Sequence, residues 1–135
     1  MAMDIVVSAK TGRVPVTIIH VKGSVDTSTY EAFQASGEEA FNSGARHVLI
    51  DMTEVSYITS AGFRAISQIF KLLRGNLTAK DSAMMSQGLR DGSYKSPNLK
   101  LLNPNDRVVE ALKLAGFDTF LEIYFDLDEA IKSFE

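Results

Sequence analysis

The chain has 135 residues, 45% of them hydrophobic, with a formal net charge of -3 and no cysteine. That length and apolar content suffice for one domain with its own core, and the missing cysteines exclude disulfides, thiolate metal sites and cysteine nucleophiles. No dense Lys/Arg stripe is present, which speaks against nucleic acid as a partner, and apolar runs such as VLI at 48–50 are far too short to span a bilayer.

The opening MAMDIVVSAK has no basic start before a long apolar stretch, so no secretory signal is expected and a soluble, cytoplasmic protein is the simplest reading. Residues 4–9 (DIVVSA) and 14–21 (VPVTIIHV) are rich in β-branched side chains and separated by KTGR. That predicts a β-hairpin, with Gly12 supplying the turn and Pro15 near the start of the second strand, where its missing N–H does least harm. Tyr30, Phe33, Ala40 and Phe41 then fall on one stripe of a helix ending at Gly44. Asp26, Thr27 and Ser28 are competent N-caps, and Ser28 with Glu31 has capping-box spacing. HVLIDM at 47–52 suits a strand buried on both faces, so a strand, a helix and a strand imply a right-handed parallel crossover.

TEVSYIT follows and reads as a loop. Over residues 61–74, Phe63, Ile66, Phe70 and Leu73, widened by Ile69 and Leu72, form the clearest helical stripe in the chain. Residues 75–98 break the pattern, being polar with three glycines and one proline. A connection of that length is uncommon in a compact domain and is usually functional or mobile; a short helix is expected near residues 79–87. Order resumes with the strand LKLL (99–102) and a helix capped by Asn105 or Asp106 and stopped by Gly116. TFLEIY (119–124) is a last strand, and DLDEAIKSFE a last helix with Asp126 and Glu129 at capping-box spacing. The expected fold class is α/β: a single domain over residues 1–135 with a mixed, mostly parallel sheet of about five strands and about four helices, interrupted by a long insertion at 75–98.

His20 and His47 lie in predicted strands with no matching ligand spacing, so no metal site is expected and both read as structural histidines. Asp51 ends an apolar run, as the phosphoacceptor of a receiver domain does, but the acidic pair and the lysine of that site are missing; Asp51 reads as the cap of a strand-to-loop turn. No glycine pattern fits a dinucleotide or P-loop cradle, so no cofactor is expected. Ser60 has no base in its sequence context, and no catalytic residue is assigned. Two readings of Ser60 stand side by side. It is the N-cap of the helix from Ala61, or it is a hydroxyl placed where a helix N-terminus favours a phosphate.

In order and spacing, VKGSVDTSTYEAF (21–33), HVLIDMTEVSYITSAGFRAI (47–66), LKLLNPNDRVVEALKLAGF (99–117) and LEIYFDLDEAI (121–131) resemble a STAS domain, the fold of bacterial anti-sigma-factor antagonists and of the cytoplasmic tails of sulfate transporters. The resemblance covers nearly the whole chain outside the insertion. The family's usual signature after its third strand is Asp-Ser-Ser-Gly and an aliphatic residue, and the first serine accepts phosphate from a partner kinase that doubles as an anti-sigma factor. Matched here, Thr59 stands at the aspartate, Ser60 takes the phosphoacceptor position, Ala61 replaces the second serine, Gly62 is retained and Phe63 replaces the aliphatic residue. Asp26, in GSVD, matches an acidic position at the mouth of the same site.

The resemblance implies a non-enzymatic bacterial binding module. Its unmodified surface, formed by Asp26, Thr27, Thr59, Ser60, Ala61, Gly62 and Phe63, docks on a serine-kinase-type anti-sigma factor. Phosphate on Ser60, with Thr59 the alternative acceptor, breaks that contact, and a serine phosphatase restores it. No metal, cofactor, nucleic acid or membrane insertion is implied. The alternative is a STAS module that is not phosphorylated and instead binds a small ligand or scaffolds an assembly. The insertion follows the recognition helix, where it would alter partner choice or cover an apolar groove; a disordered, inert loop is the equally weighted alternative. A hydrolase built on Ser60 would require a histidine within hydrogen-bond reach.

Overall fold

The computed structural model of the chain describes residues 3–75 and 78–135. The two β-branched runs form β1 (Asp4–Thr11) and β2 (Pro15–Val25), paired antiparallel from Asp4 opposite Lys22 to Thr11 opposite Pro15. Gly12 sits in the connecting turn, but a left-handed backbone is not what requires it. A Cβ there would lie 2.8 Å from the Ile131 side chain and 2.9 Å from its carbonyl oxygen, so glycine lets the hairpin tip meet the last helix.

β3 (Val48–Ile58) runs parallel to β2 and is much longer than the six-residue strand read from the sequence; the expected loop at 53–59 is strand as far as Ile58. The reason is two register slips. His20 pairs with Asp51, then Lys22 with Glu54 and Gly23 with Val55, then Val25 with Ile58, so β3 carries one extra residue at each slip. A one-residue slip reverses which side chain faces the core. The buried set on β3 therefore runs Val48, Ile50, Met52 and then Val55 and Ile58, spaced by three at its end instead of two.

β4 (Leu99–Leu102) and β5 (Ile123–Tyr124) complete a five-stranded sheet in the order β1-β2-β3-β4-β5, with every pair after the hairpin parallel. The strand expected over 119–124 is reduced to its last two residues. Gly116 turns the chain at φ 81°, and a 3-10 turn over Phe117–Thr119 follows. The Phe117 and Phe120 rings pack 5.2 Å from Phe63 and 5.0 Å from Phe70, drawing this segment off the sheet onto the helices.

Among the described residues there are five helices, where about four were expected. α1 (Tyr30–Asn42) and α2 (Ser60–Arg74) pack on one face of the sheet. Thr29, not any of the three residues favoured from sequence, occupies the N-cap position of α1, with no capping bond from its side chain; Asp26 and Ser28 are engaged with each other just before it. The fifth is α3 (Ala79–Asp91), which runs past the short helix expected near residues 79–87 and spans much of the insertion. The Thr78 hydroxyl accepts the Asp81 N–H, and Gly92 closes the helix at φ 78°. α3 is pinned at Gly88, whose carbonyl accepts the Tyr94 N–H, while the Tyr94 ring meets Phe70 edge-on. α4 (Asp106–Ala115), capped by Asn105 as expected, joins α1 and α2 on the first face through Val108 and Leu112.

The second face carries a smaller core. Val16, Ile18, Leu49 and Leu102 lie under Ala130, Ile131 and Phe134 of α5 (Leu127–Ser133) and its C-cap. Lys100 of β4 is buried there; its ammonium donates to the Ser133 carbonyl and hydroxyl and pairs with Glu122 at 3.0 Å, tying the end of α5 to the sheet. Beyond α5 this face is open and polar. Asp51 lies on it, inside β3 and opposite His20, so it caps no turn. Among the described residues, no helix is long and apolar enough to cross a membrane.

Candidate functional site

β2 and β3 end side by side. Val25 is paired with Ile58, and the Thr59 N–H donates to the Val25 carbonyl at 2.9 Å. The segments that follow, residues 26–29 and 59–63, therefore leave the carboxyl edge of the sheet together. The structure brings the Asp26 loop and the start of α2 into one place.

Thr59 is extended (φ -108°, ψ 179°), and its carbonyl accepts the Phe63 N–H at 3.0 Å, so Thr59 is the N-cap of α2. Its hydroxyl caps nothing and is turned back toward the Val25 carbonyl. Ser60 is the first helical residue and is exposed, which corrects the reading of Ser60 as a cap. The first turn of α2 thus begins with N–H groups that no cap side chain takes up. Ala61 and Gly62 are buried and shape the turn. A Cβ at Gly62 would lie 2.5 Å from Ile58 Cγ1 and 2.8 Å from Val25 Cγ1, so only glycine lets the helix start directly on the two strand ends. Phe63 is half-buried and stacks on Phe117. Of the seven residues matched to the site, Thr27 and Ser60 are the exposed ones.

Asp26 organises the facing loop. Its carboxylate accepts the Ser28 hydroxyl at 2.7 Å and the Ser28 N–H at 2.9 Å, and the Tyr57 hydroxyl at 3.1 Å. Its own N–H donates to Thr29 Oγ1, and its carbonyl accepts the Tyr30 N–H at the start of α1. The bonds from the Ser28 hydroxyl and N–H, with smaller help from Tyr57 and Thr29, lower its pKa from 3.8 to about 2 against the opposing effect of burial. The loop is held in shape by a carboxylate that stays ionised.

Sequence reasoning missed three residues at this edge. Tyr57 links the end of β3 to Asp26, and the Arg107 guanidinium lies 5.3 Å over its ring. Arg64 stands one helical turn after Ser60, 6.0 Å from the centre of the Tyr30 ring, in the groove between α1 and α2. In the sequence these are ordinary surface types; only the four-residue spacing of Ser60 and Arg64 on a helix was visible beforehand. No histidine serves Ser60. His20 is bonded to Ser8 and Asp51, and His47 packs against Phe134 on the far face. The Ser60 hydroxyl is exposed, and neither histidine lies beside it to act as a base.

The STAS domain family matches residues 7–78, which carry the first three strands and both halves of the site. Among solved structures the chain is similar to an anti-sigma factor antagonist from Mycobacterium paratuberculosis, at 16% identity and a TM-score of 0.70 over 98% of this chain and 93% of that one. It is similar to the anti-sigma factor antagonist SpoIIAA in its unphosphorylated form (15% identity, TM-score 0.65, 96% and 93% covered). The Bacillus cell fate determinant SpoIIAA in its phosphorylated form aligns at 15% identity and a TM-score of 0.60, with 95% and 96% covered. At these identities the likeness is one of fold. No curated protein matches the chain in sequence.

Proposed function

The chain belongs to the STAS family, and from that premise we propose that it is a non-enzymatic regulatory module of the anti-sigma-factor antagonist kind, switched by phosphate on Ser60 and acting by binding a serine-kinase-type anti-sigma factor. The observation that carries this reading is the position of Ser60: an exposed hydroxyl at the first residue of α2, relieved of capping duty by Thr59 and set beside the Asp26 loop. Phosphate there meets the N-terminal end of the helix dipole, with Arg64 one turn away, so the fold survives modification. The docking surface does not. The group adds about -1.5 to -2 of charge next to an aspartate that is already ionised, in the middle of an interface. A tenfold loss of affinity takes only about 1.4 kcal/mol, well within what one phosphate supplies. A serine phosphatase resets the surface.

The test is intact mass and peptide mapping over residues 47–74 of the protein recovered from its own cells. Partial phosphate on Ser60, lost in Ser60→Ala, is the expected result; phosphate lost in Thr59→Ala instead would move the acceptor by one residue. No phosphate under any growth or stress condition would overturn the switch and leave an unmodified STAS module that binds a small ligand or scaffolds an assembly.

A further inference from the structure

On the open half of the second sheet face, three side chains from three adjacent strands are joined in a line. The Ser8 hydroxyl on β1 lies 2.8 Å from His20 Nε2 on β2, and His20 Nδ1 lies 2.8 Å from Asp51 Oδ2 on β3. His20 and Asp51 are direct register partners, and Ser8 sits diagonally from His20, which pairs with Val6. The other Asp51 oxygen accepts both the N–H and the hydroxyl of Thr53, which fixes the carboxylate. Burial works against ionisation of Asp51, yet the bonds from Thr53 and His20 outweigh it and hold the carboxyl below its ordinary range. An ionised carboxylate only accepts, so Nδ1 carries the proton on this side and a neutral ring leaves Nε2 free to accept from Ser8. That is the order nucleophile, base, orienter.

We propose that Ser8 is a nucleophilic acyl acceptor, with His20 as its general base and Asp51 as the residue that positions the ring. The co-reactant is an activated ester or thioester. Ser8 Oγ attacks the acyl carbon and a new C–O bond forms while His20 Nε2 takes the hydroxyl proton. The bond to the leaving oxygen or sulfur then breaks, and that proton passes to it as the alcohol or thiol departs. Ser8 is left as an ester, with no change of oxidation state. β1 is the edge strand, so either the Ser8 N–H or those of its neighbours Val7 and Ala9 face outward without a partner strand. These are the donors for the transient oxyanion. The groove beside His20, walled by Val6, Lys22 and Thr53 together with Asp4, Asp51 and Glu54, is open to solvent and is where a short acyl donor would lie. This site is separate from the Ser60 switch and stands or falls independently of it.

The chain holds its own control, since Ser60 is exposed and has no histidine partner. An alkyl fluorophosphonate probe, followed by peptide mapping, should label Ser8 at least about tenfold faster than Ser60 in the unmodified protein. Labelling should fall on acidification, as for any step that needs a neutral general base. The charged groups on the open part of this face are Asp4 and Lys10 on β1, Lys22 on β2 and Asp51 and Glu54 on β3, with Lys100 of β4 buried under α5 and paired with Glu122, so the pH response must disappear in His20→Gln to belong to the ring. His20→Gln should slow labelling about 100-fold or more, and Asp51→Asn should slow it and alter its pH profile. With p-nitrophenyl acetate, the acetyl group should be found on Ser8. Equal labelling of Ser8 and Ser60, or acetylation confined to Lys10 and Lys22, overturns the proposal without any variant having to fold.

Discussion

Asp26 shows how one side chain sets both the shape and the acid limit of the site. Its pKa is about 2 in the folded chain, while an unfolded aspartate titrates near 3.9. As pH falls from neutrality the unfolded chain therefore binds the proton first. The stabilisation is fully present above about pH 4 and is lost as pH falls through the folded value near 2. Asp26→Asn removes this dependence. Denaturant melts at a series of pH values should show the variant losing less stability than the wild type between pH 4 and 2, and an equal slope in the two proteins would refute the assignment. The carboxylate is half-buried and its role is also geometric: its bonds to Ser28 and Tyr57 hold the loop in one shape.

α3 differs from the other long helices in what anchors it. Its single buried residue is Gly88, and Met84 is 65% exposed, whereas α2 buries seven residues against the sheet. Elements with few buried apolar contacts open at low free energy. Amide hydrogen exchange should thus be markedly faster in α3 than in α2, and Tyr94→Ala should accelerate α3 further while leaving α2 nearly unchanged. Protection of α3 equal to that of α2 would mean that the insertion is an integral layer of the fold. The elements readable from sequence were those whose apolar spacing matches their period, such as Phe63, Ile66, Phe70 and Leu73 in α2 or the Asn105-capped α4. The second half of β3 was hidden for the opposite reason. Met52, Val55 and Ile58 recur every third residue, which fits no regular strand, and only the register slips explain how all three are buried. At the site, Gly62 and Ser60 were legible from their pattern; Tyr57 and Arg107 were not, because their partners come from elsewhere in the chain.

The two sheet faces are unequally covered. α1, α2 and α4 close the first, and the site lies at its carboxyl edge; α5 alone covers the second, with Phe134 fully buried beneath it. Phe134→Ala should cost about 3–5 kcal/mol, a large share of the roughly 5–15 kcal/mol typical of a domain. Urea unfolding measures the loss. Binding of the proposed partner per folded molecule should stay unchanged, because α5 packs on β4 and β5 on the face away from α1 and α2; a parallel fall in affinity would show that the two faces are coupled.

The paired slips between β2 and β3 also limit how this stretch can change in length over time. Each slip alone inverts the facing of everything after it, and the two together restore it, so Ile58 still points inward and Ser60 still begins α2 in the open. A single-residue gain or loss within residues 52–57 would bury polar side chains and carry Ser60 out of phase. Changes of two residues preserve the phase. Relatives of this chain should accordingly vary here by even steps, much as a coding frame tolerates only multiples of its own unit.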